Sequence, residues 1–351
     1  MKTINKVLMS LLSLTALAAC SAETPDNTET NETGEMDSTA DTGDTNGTSD
    51  PASEEEDKLS VVTTFYPVYE FTQQVAGDQA DIEMMISGST DVHHYEPSAR
   101  DMALINDADM FVYSSNEMET WVESMLASLD NDDLIVVEQA EAIELLEPAE
   151  DDHGHEEDEH GHEEDEHGHE EEEDAHDHGL DPHVWLDPVI VQDQVQTMQE
   201  AFIEADPDNS EAYIQRAEEF QNELQALHEE FEAAFDGASN RRFVTQHEAF
   251  GYLARRYDLI QMAVGGLSTE IEVSPSRIAE INHLVEDYDI PVIYYQEGAQ
   301  SAIAETVANE TGTEIAELYS LESLPSDVEA EGQGYIEAMR KNLEALKQSI
   351  R

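Results

Sequence analysis

The chain has 351 residues, and its 83 aspartates and glutamates outnumber its 14 lysines and arginines, which gives a formal charge of -69 at pH 7. Nucleic-acid-binding proteins rely on basic patches, and this composition leaves too few cations to build one, so we exclude that class. The single cysteine excludes a disulfide framework and a cysteine-rich zinc module. The length allows two domains of ordinary size.

Residues 1–19 are predicted to be a secretory signal peptide. Two lysines precede an apolar run over residues 7–19, which is too short to span a bilayer comfortably. The run ends in Leu-Ala-Ala-Cys at Cys20, which resembles the lipobox of bacterial lipoproteins. That resemblance implies cleavage before Cys20, lipidation of its thiol, and an extracytoplasmic protein anchored to the bacterial cell membrane. The alternative is an ordinary signal peptide with an incidental cysteine.

Residues 20–57 are predicted to be the lipidated cysteine and a disordered acidic tether. From residue 21 onwards this segment holds 13 acidic residues, eight threonines, and no basic or aromatic residue. Such a composition cannot bury enough apolar surface to offset the entropy lost on ordering. We expect the tether to repel itself and to hold the folded part away from the membrane.

Residues 58–208 are predicted to form a first α/β lobe, because strands rich in β-branched residues alternate with helical patterns. This alternation is typical of a parallel sheet covered by helices. Ser98 is expected to cap one of the helices. The predicted strands are residues 59–65, 81–86, 110–113 and 134–137, and the main helices are residues 67–75, 121–129 and 188–205.

A low-complexity tract interrupts this lobe at residues 150–179. A seven-residue unit, His-Gly-His-Glu-Glu-Asp-Glu, begins at His153 and occurs three times, the last time with one change. Imidazoles bind zinc, copper or nickel, and carboxylates add attraction, so we predict a weak, multi-site metal collector. The alternative is a solvated charged loop. The histidines of this tract are His153, His155, His160, His162, His167, His169, His176 and His178.

A long helix at residues 209–236 is predicted to link the first lobe to a second α/β lobe at residues 237–351. Its apolar residues recur at spacings of three and four, which suits either a core-packed helix or a rigid rod between lobes. In the second lobe, strands and helices alternate as in the first. The predicted strands are residues 242–245, 260–264, 291–295 and 314–318.

Four metal-binding side chains follow predicted strands or the His-rich tract, at positions where open α/β sheets bind ligands. They are His93, His183, His247 and Glu297. Three imidazoles and a carboxylate make a plausible tetrahedral zinc set, although a single strand-end histidine is more often structural. His228 and His283 lie in polar helical patterns and are expected on the surface.

Four segments, in order, resemble the ligand motifs of metal-specific solute-binding proteins of ABC importers. Residues 88–97 and 181–188 resemble the first two motifs, and the second follows a His-rich loop, as in the zinc-uptake branch. Residues 245–252 and 295–297 resemble the third and fourth. The resemblance runs from about residue 59 to residue 351. It implies two α/β lobes joined by one long rigid helix, with the metal in the cleft between them.

Residue by residue, the resemblance carries over His93, His183 and His247 as nitrogen ligands and Glu297 as the carboxylate. It implies a monomeric receptor, not an enzyme, that captures Zn²⁺ outside the cytoplasm and delivers it to an ABC importer permease. We favour zinc over manganese because manganese prefers oxygen-rich coordination. The manganese branch of the family also tends to carry a carboxylate where this chain has His247.

Three alternatives stay open at this point. The protein could be a receptor of the same family for manganese or another divalent metal. It could be a surface metal buffer or adhesin whose function lies in the His-rich tract. It could be a zinc hydrolase with Glu297 as general base, although the sequence contains neither a His-Glu-x-x-His helix nor a Gly-x-Ser-x-Gly elbow.

Overall fold

The computed structural model describes residues 58–88, 90–147, 179–267, 274–296 and 302–351. The signal peptide, Cys20, the acidic tether and the eight histidines of the tract lie outside these ranges, and what the sequence predicts for them stays a prediction. Within the described ranges, no helix is long and apolar enough to cross a bilayer.

The first lobe is a parallel sheet with helices in its connections. Its elements are β1 (Leu59–Thr63), α1 (Tyr66–Ala76), β2 (Ala80–Met84), α2 (Ala99–Asn106), β3 (Met110–Tyr113), α3 (Val122–Leu126) and β4 (Ile135–Glu138). The strand order is β2-β1-β3-β4, and every pair is parallel. Gly77 ends α1 with a φ of 61°, a left-handed conformation that favours glycine. Ser98 caps α2, as predicted, by accepting a hydrogen bond from the backbone N–H of Asp101.

Two helices carry the chain from the first lobe to the second. They are α4 (Pro188–Ala205), which has the predicted bounds, and α5 (Ser210–Phe235), which is one residue shorter at each end than the predicted range of 209–236. Ahead of α4, the backbone N–H of Asp181 donates to the carbonyl of Leu146 at 2.8 Å, in an isolated antiparallel bridge. Asp187 then caps α4 by accepting a hydrogen bond from the backbone N–H of Val189 at 2.9 Å.

The second lobe repeats the sheet of the first. Its elements are β5 (Arg242–Thr245), α6 (Gly251–Arg256), β6 (Ile260–Ala263), α7 (Pro275–Asp287), β7 (Val292–Tyr295), α8 (Ala302–Thr311), β8 (Glu314–Glu317), α9 (Ser326–Ala330) and α10 (Tyr335–Leu346). The strand order is β6-β5-β7-β8, again all parallel. The equivalent orders confirm the prediction of two similar parallel-sheet α/β lobes.

One hydrophobic core runs through both lobes and the helices between them. Phe71 of α1 packs edge-on against Tyr335 of α10, with ring centroids 5.1 Å apart. In the same core, the rings of Phe65 and Trp185 pack edge-on with their centroids 5.1 Å apart. The buried stripe of α5, which includes Phe220 at its middle, joins this core. The long helix is therefore core-packed, which is the first of the two predicted alternatives, and it also lies in the connection between the lobes.

Candidate metal centre

Four side chains from four separate segments meet between the two lobes. Each offers one ligand atom, and these atoms all lie within 4.8 Å of one another. His93 lies in the loop after β2, and His183 lies directly before the short 3-10 turn that leads into α4. His247 follows β5, and Glu322 lies five residues beyond the end of β8. Each lobe therefore supplies two of the four groups.

The spacing of these groups fits tetrahedral coordination. The Oε1 atom of Glu322 lies 3.5 Å from Nε2 of His93, 3.7 Å from Nε2 of His183 and 3.6 Å from Nδ1 of His247. A tetrahedron whose ligands lie about 2.0–2.1 Å from a zinc ion has edges of about 3.4 Å. The carboxylate and the three rings therefore need only small shifts to surround one ion.

Three of the ligand atoms are buried polar atoms without a hydrogen bond among the described residues. They are Nε2 of His93, Nε2 of His183 and Oε1 of Glu322. An unsatisfied buried polar group costs about 1–3 kcal/mol, so native proteins rarely keep several of them together. These three atoms face one another, and a cation placed between them would satisfy all three at once. This observation is the strongest sign that the cluster is a metal site.

Asp181 orients the imidazole of His183. Its Oδ1 atom lies 2.8 Å from Nδ1 of His183 and accepts the backbone N–H of the same residue at 3.0 Å. A carboxylate only accepts, so Nδ1 carries a proton and Nε2 faces the cluster, where its lone pair becomes available once the second proton leaves the ring. Burial lowers the pKa of His183, but Asp181 and Glu322 outweigh it and raise that pKa to about 9.

Leu267 and Gln296 contact the two ligands of the second lobe, His247 and Glu322. Nε2 of His247 donates to the carbonyl oxygen of Leu267 at 2.9 Å, which leaves Nδ1 on the side of the cluster. Nδ1 also lies 3.0 Å from Oε1 of Gln296, whose Nε2 donates to Oε2 of Glu322 at 3.1 Å. Burial lowers the pKa of His247 to about 4, so this ring is neutral near pH 7.

Glu322 supplies the negative charge of the cluster. Burial raises the pKa of its carboxyl, but the nearby imidazoles of His183, His93 and His247 hold that pKa well below its usual range. Just before it, Leu321 takes a φ of 60°, a left-handed conformation that is costly for a bulky residue. The Leu321 side chain is buried, and Trp185 donates its indole N–H to the carbonyl of Ser320 at 2.7 Å. These contacts hold the turn that presents Glu322.

The structure brings together three of the four predicted ligands, His93, His183 and His247. Of the His93-His94 pair, His93 belongs to the cluster, whereas His94 is 51% exposed and pairs with Asp91. Glu297 lies outside the described residues, so its predicted role is untested. Sequence reasoning missed Glu322, although its place after β8 follows the same strand-end rule.

The two histidines expected on the surface, His228 and His283, differ in their exposure to solvent. His283 is exposed, as predicted. His228 is half-buried: its Nδ1 lies 3.2 Å from the hydroxyl of Tyr257, and its side chain is 17% exposed. The surface prediction for His228 was therefore wrong, because the polar neighbours of His228 along α5 do not reveal that its own position faces the second lobe.

The fold and the cluster together define a class, that of two-lobed metal-binding proteins. The two parallel-sheet lobes share a core, and they enclose a buried cluster of three histidines and one carboxylate. Comparison with known families agrees with this class. The family model described as "Zinc-uptake complex component A periplasmic" matches residues 61–349, and the chain belongs to this family. The family resemblance seen in the sequence is thereby confirmed.

Relatives with known names and structures are similar over most of the chain. The high-affinity zinc uptake system protein ZnuA of Bacillus subtilis is 40% identical over 299 residues, 85% of this chain and 90% of that protein. The zinc-binding lipoprotein AdcA of Streptococcus pneumoniae is 41% identical over 301 residues, and the match spans 56% of that protein. The crystal structure of the Zn(II)-bound ZnuA-like domain of AdcA superposes with a TM-score of 0.68 at 39% identity, covering 84% of this chain and 99% of that one.

Proposed function

We propose that this protein is an extracytoplasmic, high-affinity zinc receptor that captures Zn²⁺ and delivers it to the permease of an ABC importer. The observation that carries the proposal is the buried cluster of three imidazoles and one carboxylate between the lobes. Its unsatisfied atoms converge on one point, as a cation site requires. The names of its relatives, a zinc uptake system protein and a zinc-binding lipoprotein, support the same metal.

The ligands of this proposal are His93, His183, His247 and Glu322. We propose Glu322 rather than Glu297 as the carboxylate because its Oε1 atom lies 3.5–3.7 Å from a ring nitrogen of each histidine. Three nitrogen ligands and one oxygen favour zinc over manganese, which prefers oxygen-rich coordination. Four protein ligands would also fill a tetrahedral shell, whereas a catalytic zinc keeps one position open. The set therefore favours a receptor over a hydrolase.

The rest of the proposal concerns Cys20 and the His-rich tract between residues 150 and 179. Cys20 carries the lipid anchor, and the receptor acts as a monomer at the outer face of the cell membrane. The histidines of the tract between residues 150 and 179 add weaker zinc sites beside the main one. The anchor and the weaker sites are supported by the lipobox-like sequence at Cys20 and by the repeated His/acid unit, and the monomeric state is what the family resemblance implies.

Zinc titration against a competing chelator tests this function. We expect one tight equivalent followed by several weaker ones. Deletion of residues 153–178 provides the matched comparison: it should abolish the weak equivalents and leave the tight one, because none of the four proposed ligands lies there. Absence of any tight equivalent in the full chain would contradict the receptor function. Loss of the tight equivalent on deletion, with folding intact by circular dichroism, would show that the tract supplies ligands.

A further inference from the structure

We infer that Tyr252, together with its neighbour Gly251, is a positioning residue for the metal ligand His183. This inference rests on the proposed function of the centre. Tyr252 belongs to α6 of the second lobe, five residues after the ligand His247, whereas His183 belongs to the segment that leads into α4. Its hydroxyl touches no ligand atom and acts through Asp181.

The hydroxyl of Tyr252 holds both sides of the bridge between Leu146 and Asp181. It donates to the backbone carbonyl of Asp181 at 2.7 Å and accepts the backbone N–H of Leu146 at 2.8 Å. Tyr252 is 3% exposed, so water cannot easily replace these bonds. One side chain of the second lobe thus fixes the backbone of Asp181 two residues before His183.

Gly251 makes room for the carboxylate of Asp181. A Cβ atom at position 251 would lie 2.6 Å from Oδ2 of Asp181, closer than side chains tolerate. The other oxygen of this carboxylate holds Nδ1 of His183 at 2.8 Å. Tyr252 therefore sets the backbone of Asp181, and Gly251 lets its carboxylate reach His183.

The consequence is that the second lobe controls the orientation of a ligand of the first. The bond between Asp181 and His183 decides which ring nitrogen carries the proton and where the lone pair of Nε2 points. Groups that hold a ligand in this way typically account for roughly 10–100-fold in metal affinity. Tyr252 does not hold the ligand itself but holds Asp181, which does. We therefore expect its effect on zinc affinity to lie at the lower end of that range.

Substitution Tyr252→Phe tests the role because it removes the hydroxyl and keeps the ring. Zinc affinity, measured by chelator competition, should fall roughly tenfold. The matched control is Tyr294→Phe, whose buried hydroxyl donates to the carbonyl of Ala345 at the same 2.7 Å. The control should bind zinc as the unsubstituted protein does. Equal affinities in Tyr252→Phe and Tyr294→Phe would overturn the inference.

A double-mutant comparison separates positioning from a general loss of stability. If Tyr252 acts through Asp181, then Tyr252→Phe should weaken zinc binding less in an Asp181→Asn background than in the unsubstituted protein. Full additivity would overturn the inference. The visible spectrum of bound Co²⁺, which reports coordination geometry, should change in Tyr252→Phe and Gly251→Ala but not in Tyr294→Phe.

A readout without metal keeps this inference distinct from the proposed function. In the metal-free protein, the ring N–H of His183 that is bonded to buried Asp181 should give a slowly exchanging, low-field proton resonance. Tyr252→Phe should broaden or remove this resonance, and Tyr294→Phe should keep it. An unchanged resonance in Tyr252→Phe would overturn the positioning role. Absence of tight zinc binding in the unsubstituted protein would instead overturn the receptor function.

Discussion

The two lobes have the same strand order but contribute unlike groups to the metal centre. The first lobe brings two imidazoles, and the ring of His183 is oriented by a carboxylate of its own segment. The second lobe brings one imidazole and the charge of Glu322, with Gln296 next to both. Neither lobe holds more than two of the four groups. Tight binding of an ion therefore depends on both lobes at once, and among the described residues the carboxylate that belongs to the cluster comes from the second lobe.

The outer faces of the two sheets differ in composition as well. Against the first sheet, Phe111 and Tyr113 stack with ring centroids 5.8 Å apart and pack with the residues of α2 and α3. Against the second sheet the equivalent core is mostly aliphatic, with Val244, Ile281 and Ile293 at its centre. The same topology thus arises from different side chains, because alternation of strand and helix patterns specifies it rather than particular residues.

The largest expected effect comes from removing one histidine of either lobe. His183→Ala and His247→Ala should each weaken zinc binding by more than about 100-fold, because loss of a ligand exceeds the effect of losing a group that merely orients one. Chelator competition measures the change. His94→Ala is the matched control, since His94 neighbours a ligand but is half exposed and pairs with Asp91. A lobe whose histidine could be removed without loss would not be part of the site.

The next largest effect concerns the charge that the second lobe supplies. Glu322→Gln keeps the shape of the side chain but removes its charge, and zinc affinity should fall by roughly 10–100-fold. Glu297→Gln is the direct comparison, and we expect it to leave the affinity unchanged. The reverse result, with loss in Glu297→Gln alone, would restore the ligand that the sequence predicts and remove Glu322 from the set.

A third prediction concerns the ion pair that ties α6 of the second lobe to the start of α4. Nε of Arg256 donates to both carboxylate oxygens of Asp187, at 3.0 and 2.7 Å, and Asp187 is 2% exposed. Arg256→Ala leaves that carboxylate buried without its partner and should lower the free energy of unfolding by about 2 kcal/mol.

Urea denaturation measures this loss, and a surface pair provides the control. Arg340 pairs with Glu230, with both side chains over 40% exposed. Arg340→Ala should therefore cost less than about 1 kcal/mol. Equal losses in the two variants would mean that the Arg256 pair contributes no more than an exposed one.

The last prediction concerns the dependence of zinc affinity on pH. His183, whose pKa is raised to about 9, is protonated at pH 7 in the metal-free protein, so zinc must displace its proton. His247, with a pKa lowered to about 4, has no proton to release there. Affinity should therefore rise roughly tenfold for each pH unit between pH 6 and pH 8.

Calorimetry in buffers of different ionisation enthalpy counts the protons released on binding, and we expect about one near pH 7. Asp181→Asn removes one of the charges that raise the pKa of His183 and should flatten the slope. An affinity that does not change between pH 6 and pH 8 would indicate a site dominated by oxygen ligands.

Most of the fold could be predicted because the pattern of each element is local. The bounds of α4, β3 and β5 match the prediction residue for residue, and each begins or ends at a clear change of pattern. The short helix α9 was missed, since five residues carry too little periodicity to be recognised. His93, His183 and His247 could be singled out because each follows a predicted strand or the tract and lies in a motif that resembles the family's.

Glu322 could not be found in the same way. It is one of 83 acidic residues, so its type carries almost no signal. The turn that presents it depends on a left-handed Leu321, and nothing in a leucine predicts that conformation. Its proximity to the histidines arises only when β8 takes its place beside β7 at the edge of the second sheet. Long-range assembly, rather than local sequence, selects this carboxylate.

The bridge between Leu146 and Asp181 has a consequence for how the segment between them can evolve. The fold fixes the two ends, and the low-complexity sequence predicts a flexible loop for most of the 34 intervening residues, so we expect their number to affect stability mainly through the entropy of loop closure. For a flexible loop, that cost grows with the logarithm of length, and doubling the segment adds only about 0.6 kcal/mol. Gain or loss of one seven-residue unit is therefore nearly neutral for folding. Folding therefore places little constraint on the number of repeats in this segment.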